Sequence, residues 1–381
     1  MGTTHPLLTR ARGLQPLVRE RAAAAERAAG PDPDVVRALA EAGLFATGVP
    51  GELGGPACDP LTSIAVIDAV SQADGATGWV LMIGTETTGI GAMHLPDDTA
   101  RAVVVDHPDV VICGALNPQG RARAVAGGFV VDGRWPFASG SAQADWFWAQ
   151  CVVVDGEPTR EVLEVLLPRS AYDIELTWNA PGLRGSGSHD VVAAGVFVPD
   201  SHVTRTRVNR PGRGGALASL PVTSRLAYNK VGVATGITRA AIDQFVELAT
   251  SRVPRFSRVP LAERPRAQRA LADAEAALGG ARGFVADAVG DLWYTVVAGG
   301  RPDTRQQALV RLACSHAVQA CAHAVTGLYE SAGTAMSDAD HPLARCFRDI
   351  HVVGQHLMVS PHAIDDAGRV LLGLEPSSPV F

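Results

Sequence analysis

The chain has 381 residues, 47% of them apolar and 19% charged, with a formal net charge of −6 and an isoelectric point near 6.0. That length builds a sizeable core in two or three packed layers. The composition excludes a disordered chain, and the acidic balance excludes nucleic acid as a main partner, because neutralising phosphates needs a basic surface. No apolar run approaches the roughly 18–20 residues that span a bilayer, and Met1 to Arg12 is polar without a signal core. A cytoplasmic protein with no membrane partner is expected. Cys58, Cys113, Cys151, Cys314, Cys321 and Cys346 are scattered, with no disulfide spacing, and are expected to be reduced and mostly buried. The abundance of Ala, Gly, Arg and Val against a single lysine, Lys230, reads as the codon usage of a GC-rich bacterium.

Three regions follow one another, with expected limits at 1–108, 109–215 and 216–381. The first reads as helical. Ala22–Arg27 is a strong helix former, Asp34–Ala42 and Leu61–Val70 carry helical apolar spacing, and the loop Val49–Pro56 separates them. The second breaks into short β-branched or aromatic runs, Val110–Ala115, Gly128–Gly133, Trp146–Val154, Val162–Leu167 and Val191–Val198. Gly, Pro, Asp and Asn punctuate them, as in an antiparallel β domain. Asn209–Gly215 is an expected linker. In the third region, Leu226–Ser251, Arg264–Ala298, Thr304–Gly333 and Pro342–Leu372 repeat apolar residues at i, i+3, i+4 and i+7, which predicts four long helices in an up-down bundle.

Four motifs carry a resemblance. Ala73-Asp74-Gly75-Ala76-Thr77-Gly78-Trp79 precedes a helical stretch. Gly133-Arg134-Trp135-Pro136-Phe137-Ala138-Ser139-Gly140-Ser141 leads into Ala144-Asp145-Trp146. Gly182-Leu183-Arg184-Gly185-Ser186-Gly187-Ser188-His189-Asp190 follows, and Arg345-Cys346-Phe347-Arg348-Asp349 lies near the end. Their order and spacing resemble the acyl-CoA dehydrogenase superfamily over most of the chain. The resemblance implies an α+β fold: an N-terminal helical domain, a middle antiparallel β domain and a C-terminal four-helix bundle, assembled as a homotetramer, or at least a dimer, through the C-terminal helices.

The departures from that family direct the functional reading. Acyl-CoA dehydrogenases remove a proton with a glutamate. Most place it shortly after the Arg-Asp pair, where this chain has Leu357. A minority place it at the start of the first long C-terminal helix, which reads Val222-Thr223-Ser224-Arg225-Leu226 here. A general base is worth roughly 10²–10⁴-fold, so its loss at both positions argues against acyl-CoA dehydrogenation. The chain instead resembles the flavin-dependent monooxygenase branch, typified by 4-hydroxyphenylacetate hydroxylase oxygenase components and dibenzothiophene monooxygenase. Members carry a histidine near His356 and a serine matching Ser139.

The branch implies an oxygenase component that uses reduced flavin (FMNH2 or FADH2) and O2, forms a flavin C4a-hydroperoxide, and hydroxylates or N- or S-oxidises a small apolar, aromatic substrate. By the same resemblance His356 and Ser139 are the catalytic pair, His356 as proton-transfer partner and Ser139 as donor at flavin N5 or the peroxide. Trp135, Phe137, Ser139, Gly140, Ser141, Arg184, Gly185, Ser186 and Ser188 are expected to hold the flavin. Trp79, Met82, Phe137, His356 and Ser360 are expected to border the substrate.

Other chemistry fails on spacing. His351 and His356 do not share a helix face. The Cys314/His316 and Cys321/His323 pairs do not converge on one helix, so no metal site is expected. Ser139 is not in a nucleophile elbow, and Gly89-Ile90-Gly91 follows a helical stretch rather than a strand. With no nicotinamide site legible, a separate NAD(P)H:flavin reductase is the expected partner. The rivals are a flavin dehydrogenase or oxidase using His356 or Asp340 as base, and a non-catalytic binding protein.

Overall fold

The computed structural model describes residues 5–206, 212–254 and 257–378, so the expected linker Asn209–Gly215 lies partly outside the described residues. The chain begins with five helices: α1 (Pro6–Ala28), α2 (Pro33–Glu41), α3 (Pro60–Ser71), α4 (Gly75–His94) and α5 (Asp97–Ala100). Their starts follow from local chemistry. The carboxylates of Asp32, Asp59 and Asp74 accept backbone N–H groups of the first turns of α2, α3 and α4, and Pro33 and Pro60 occupy first positions that need no donor. α4 is apolar around most of its circumference. Between Gly75 and Met93 only Ile83 is not buried.

The middle of the chain forms one seven-stranded sheet: β1 (Ile112–Val125), β2 (Gly128–Trp135), β3 (Trp146–Asp155), β4 (Glu157–Pro168), β5 (Asp173–Glu175), β6 (Asp190–Pro199) and β7 (Val203–Thr204), in the order β5-β6-β2-β1-β3-β4-β7. The expectation of a purely antiparallel domain is corrected here. β1 and β3 run parallel, with Ile112 opposite Trp146 and Arg123 opposite Val154. The cause is the connection after β2. Residues 136–145 carry the chain past the start of β1 to its far side, and the Asp145 carboxylate fastens that crossing by accepting the Val111 N–H at 2.9 Å. The same crossing holds Phe137 and Ser139.

The last part comprises α6 (Gly215–Ala218), α7 (Val222–Ser251), α8 (Pro265–Val297), α9 (Thr304–Ser331), α10 (Pro342–Val353) and α11 (His362–Leu371). Three of the four expected long helices are continuous. The fourth, expected over Pro342–Leu372, is broken between Val353 and His362, with a single 3₁₀ turn at Leu357–Val359. Pro361 supplies no N–H and disfavours helix at Ser360. His356 starts the intervening turn as its cap, its Nδ1 accepting the Met358 N–H at 3.2 Å. The histidine therefore sits in a break, not on a helix. Among the described residues no helix is long and apolar enough to cross a membrane. All six cysteines are free, five of them buried and Cys346 half-buried.

α7 reaches α3 through glycine. A Cβ at Gly236 would stand 2.5 Å from Ser71 Cβ and 2.6 Å from the Asp68 carbonyl oxygen. Gly236→Ala is therefore expected to cost about 1–3 kcal/mol by overpacking in urea unfolding. Gly13→Ala, at an exposed α1 position with nothing within 4 Å, should instead be neutral or stabilising.

Candidate active site

A cavity of about 500 Å³ opens where the three parts meet. α4 contributes Trp79, Ile83 and Glu86, which explains why Ile83 escapes burial in the middle of that helix. β1 contributes Leu116 and Asn117, and the crossing segment Phe137 and Ser139. The β5–β6 connection adds Trp178, Leu183 and Ser188. α7 supplies Leu226 and Lys230, and the break after α10 supplies His356, Leu357 and Met358.

Ser139 stands at the centre of a buried hydroxyl relay. The Trp79 indole N–H donates to Ser139 Oγ at 3.1 Å, Ser139 Oγ lies 2.7 Å from Ser188 Oγ, and Ser188 Oγ lies 2.7 Å from Ser186 Oγ. When Ser186 donates to Ser188 and Ser188 to Ser139, the Ser139 oxygen accepts two bonds and its own proton is free to donate, strengthened by the chain behind it. The His356 ring meets the Trp79 ring edge-on at 5.6 Å. Burial first, then the charges of Lys230 and Arg311, hold His356 well below the usual imidazole range, so the ring is neutral near pH 7. A backbone N–H only donates, so the Met358 contact leaves Nδ1 unprotonated and puts the ring proton on Nε2. His356 thus presents a hydrogen-bond donor.

Two wall residues are strained. Phe137 (φ 63°) and Leu183 (φ 50°) are two of the four described non-glycine residues with left-handed backbones, a conformation costing of order 1–3 kcal/mol that clusters at ligand clamps. Phe137 is 67% exposed, meeting Trp178 edge-on at 6.3 Å. Leu183 is held by its N–H, which donates to Asp349 Oδ1 at 2.6 Å. Asn117 Oδ1 is buried without a hydrogen-bond partner among the described residues. An uncovered aromatic face, an unmatched acceptor and a hydroxyl donor together fit a flat ring system that carries N–H groups and acceptors, as an isoalloxazine does.

Two leucines line this cavity: Leu357, at the expected position of the base of most acyl-CoA dehydrogenases, and Leu226, within the Val222–Leu226 stretch where a minority are expected to carry it. Family comparisons agree. The acyl-CoA dehydrogenase N-terminal domain matches residues 11–95 and the C-terminal domain residues 229–361. Indole-3-acetate monooxygenase of Pseudomonas putida is 33% identical over 343 residues, covering 90% of this chain and 87% of that one.

This chain belongs to the flavin-dependent monooxygenase branch of the acyl-CoA dehydrogenase family.

The FADH2-dependent resorcinol hydroxylase oxygenase component of a Rhizobium species is 29% identical, with 97% and 95% of the two chains covered. The crystal structure of the 3-HSA hydroxylase of Rhodococcus sp. RHA1 superposes with a TM-score of 0.92 at 27% identity, over 99% of this chain and 100% of that one. As a monooxygenase of this branch, the protein uses reduced flavin and O2.

Of the expected site residues, Trp79, Phe137, Ser139, Ser188 and His356 share the cavity. The others stand outside its lining. Trp135 is fully buried in the sheet core and donates its indole N–H to the Gln150 carbonyl at 2.8 Å. Gly133 exists to seat that ring, since a Cβ there would lie 2.5 Å from it. Met82 sits behind the wall, its sulfur 3.5 Å from Lys230 Nζ. Gly140 and Ser141 shape the crossing, with the Gly140 N–H donating to the Ser186 carbonyl. Gly185 packs on Ala25 and Ala76. Arg184 donates to the Ala180 carbonyl, and Ser360 to the Leu357 carbonyl. Asp340, the alternative base, is exposed and lines no part of the cavity.

Sequence reasoning missed Asn117, Trp178, Glu86 and Lys230. The available signals were a carboxylate inside an apolar helix and the chain's only lysine.

The Arg-Asp motif positions the site. Arg348 pairs with Glu26 of α1 at 2.6 Å, and Arg345 reaches Glu26 at 3.6 Å and Asp74 at 3.8 Å. Burial, then the neighbouring Asp74 charge, pushes Asp349 up to about 7. A carboxyl raised in the folded state weakens the fold as pH rises from its unfolded value near 4 to about 7, and no further above that. Asp349→Asn keeps an acceptor for Leu183 and removes the charge. Urea titrations at pH 5 and pH 8 should show wild type losing stability relative to this variant across the interval. Parallel curves would contradict the assignment.

Proposed function

We propose that this protein is the oxygenase component of a two-component system that inserts oxygen into a small aromatic substrate, with reduced flavin delivered by diffusion from a separate NAD(P)H:flavin reductase. The observation that carries the reading is the cavity wall itself. Leu357 stands at the expected base position, no carboxylate occupies the Val222–Leu226 stretch, and neutral donors, Ser139 and His356, flank Trp79. The FADH2 dependence in the name of the Rhizobium relative supports FAD over FMN. Phe137 and Trp178 would cover the flavin ring, Asn117 would accept from it, and Ser139 with Ser188 behind it would donate to it.

Reduced flavin, when bound, supplies the electrons that activate O2 and delivers one oxygen atom to the substrate. The chain's own residues govern what surrounds that event. Ile83, Leu116, Leu226 and Leu357 exclude water and accept an aromatic body. Ser139 offers its proton at the end of the relay, and His356 offers Nε2–H. The capped, neutral ring is poorly suited to accept a proton at Nε2, which disfavours the dehydrogenase and oxidase alternative. Exposed Tyr294 and Val297 on α8, and Leu371 and Leu372 at the end of α11, support self-association through the last helices, as the proposed homotetramer requires.

With reduced FAD, O2 and indole as probe, His356→Ala and Ser139→Ala are expected to consume oxygen while product per O2 falls by roughly 10²-fold and hydrogen peroxide rises to match. Full coupling in both variants would remove these residues from the chemistry.

A further inference from the structure

Behind the cavity stands a buried histidine that the oxygen chemistry does not use. His189 is 7% exposed and lines no part of the cavity. It lies at the joint between two of the cavity's walls. Its backbone carbonyl accepts the Ala138 N–H at 2.9 Å, between Phe137 and Ser139 of the crossing segment. Its ring Nδ1 accepts the Trp178 N–H at 3.0 Å. A backbone N–H only donates, so Nδ1 carries no proton here and serves as the acceptor.

The bond to Trp178 takes over where the sheet stops. β5 pairs with β6 as far as Glu175 opposite Asp190. Beyond that point side chains join the two segments. Thr177 Oγ1 accepts the Asp190 N–H at 3.1 Å and donates to Asp190 Oδ1 at 2.7 Å, and the His189 ring takes the Trp178 N–H. Leu176, Thr177 and Asn179 are exposed, so hydrogen bonds rather than packing hold this backbone. The Trp178 side chain is tied as well, its indole N–H donating to the Leu183 carbonyl at 3.1 Å. Held at both points, the ring meets Phe137 at 6.3 Å with the two planes at 90°. A wall fixed in this way is ordered before a ligand arrives, and binding then spends nothing on ordering it.

We propose that His189 is a positioning residue that pre-sets the Trp178 side of the flavin cover and so strengthens capture of the flavin ring. It acts through the Trp178 backbone and touches neither flavin nor substrate. The inference rests on the oxygenase reading and deepens it.

The test is anaerobic calorimetric titration of the full-length protein with dithionite-reduced FAD and, separately, reduced FMN, together with visible circular dichroism of the oxidised flavin complex. His189→Leu removes the acceptor and should bind the preferred flavin about 10-fold more weakly, the scale of one hydrogen bond left unmade, with an altered dichroism spectrum. His189→Asn places Oδ1 where Nδ1 stood and should restore both readouts. His189→Gln carries its acceptor one bond further out and should behave as His189→Leu does. In a Trp178→Leu background, His189→Leu should bring no further loss, because the two changes break one connection. Unchanged binding in His189→Leu, equal losses in the Asn and Gln variants, or losses that add in the Trp178→Leu background would overturn the proposal. If His189→Leu does not fold, the contrast between Asn and Gln decides. Flavin binding that ignores His189 sinks this inference alone. Failure of wild type to bind either reduced flavin sinks the oxygenase reading and this inference with it.

Discussion

The hydrogen bond from the Trp79 indole to the Ser139 hydroxyl joins the helical and β parts of the molecule where the chemistry is placed. Both partners are buried, so breaking it leaves an unpaired donor in apolar surroundings, a cost of about 1–3 kcal/mol. Its geometry depends on two structures that arrive from opposite directions. α4 starts where Asp74 caps it, which fixes the turn carrying Trp79. The crossing after β2 carries Ser139 beneath that turn, and Asp145 fastens its far end. His356 reaches the same indole from a third direction because the last helix breaks there.

The polar groups around the cavity divide by task. The serine relay and the capped imidazole are neutral donors. The Arg345–Asp74–Glu26 cluster and Asp349 are ionisable, but they act at a distance, holding α10, α1 and Leu183 in register. Lys230 and Glu86 are the charges that line the cavity itself. An apolar wall with localised donors and one ion pair suits a reaction in which water must be excluded and protons supplied at chosen atoms.

Much of this was legible in the sequence, for identifiable reasons. Helical and β stretches were readable because apolar spacing and β-branched runs are local signals. The expectation of no carboxylate base was readable because Leu357 and the Val222–Leu226 stretch offer no carboxylate where the resemblance places one. The break at His356 was harder to see. Apolar spacing continues through it, and only Pro361 and the capping role of His356 itself interrupt the helix. The parallel pairing of β1 with β3 depends on the path of residues 136–145, which no local periodicity encodes. Trp135 lies in a motif beside the site yet points into the sheet core, because Gly120 and Gly133 leave room for its ring on that face. Glu86 and Lys230 are far apart in the chain and become a pair only through the packing of α4 on α7.

The most direct measurement is the reoxidation of reduced FAD, then reduced FMN, after rapid mixing of each flavin–protein complex with oxygenated buffer in the absence of substrate, read by flavin absorbance and by hydrogen peroxide release. A cavity that excludes water and donates from Ser139 should slow peroxide release well below its rate in free solution for at least one flavin, FAD being the expected one. Ser139→Ala should return it towards the free rate. Reoxidation and peroxide release at the free-solution rate with both flavins would contradict an oxygen-activating role for this cavity.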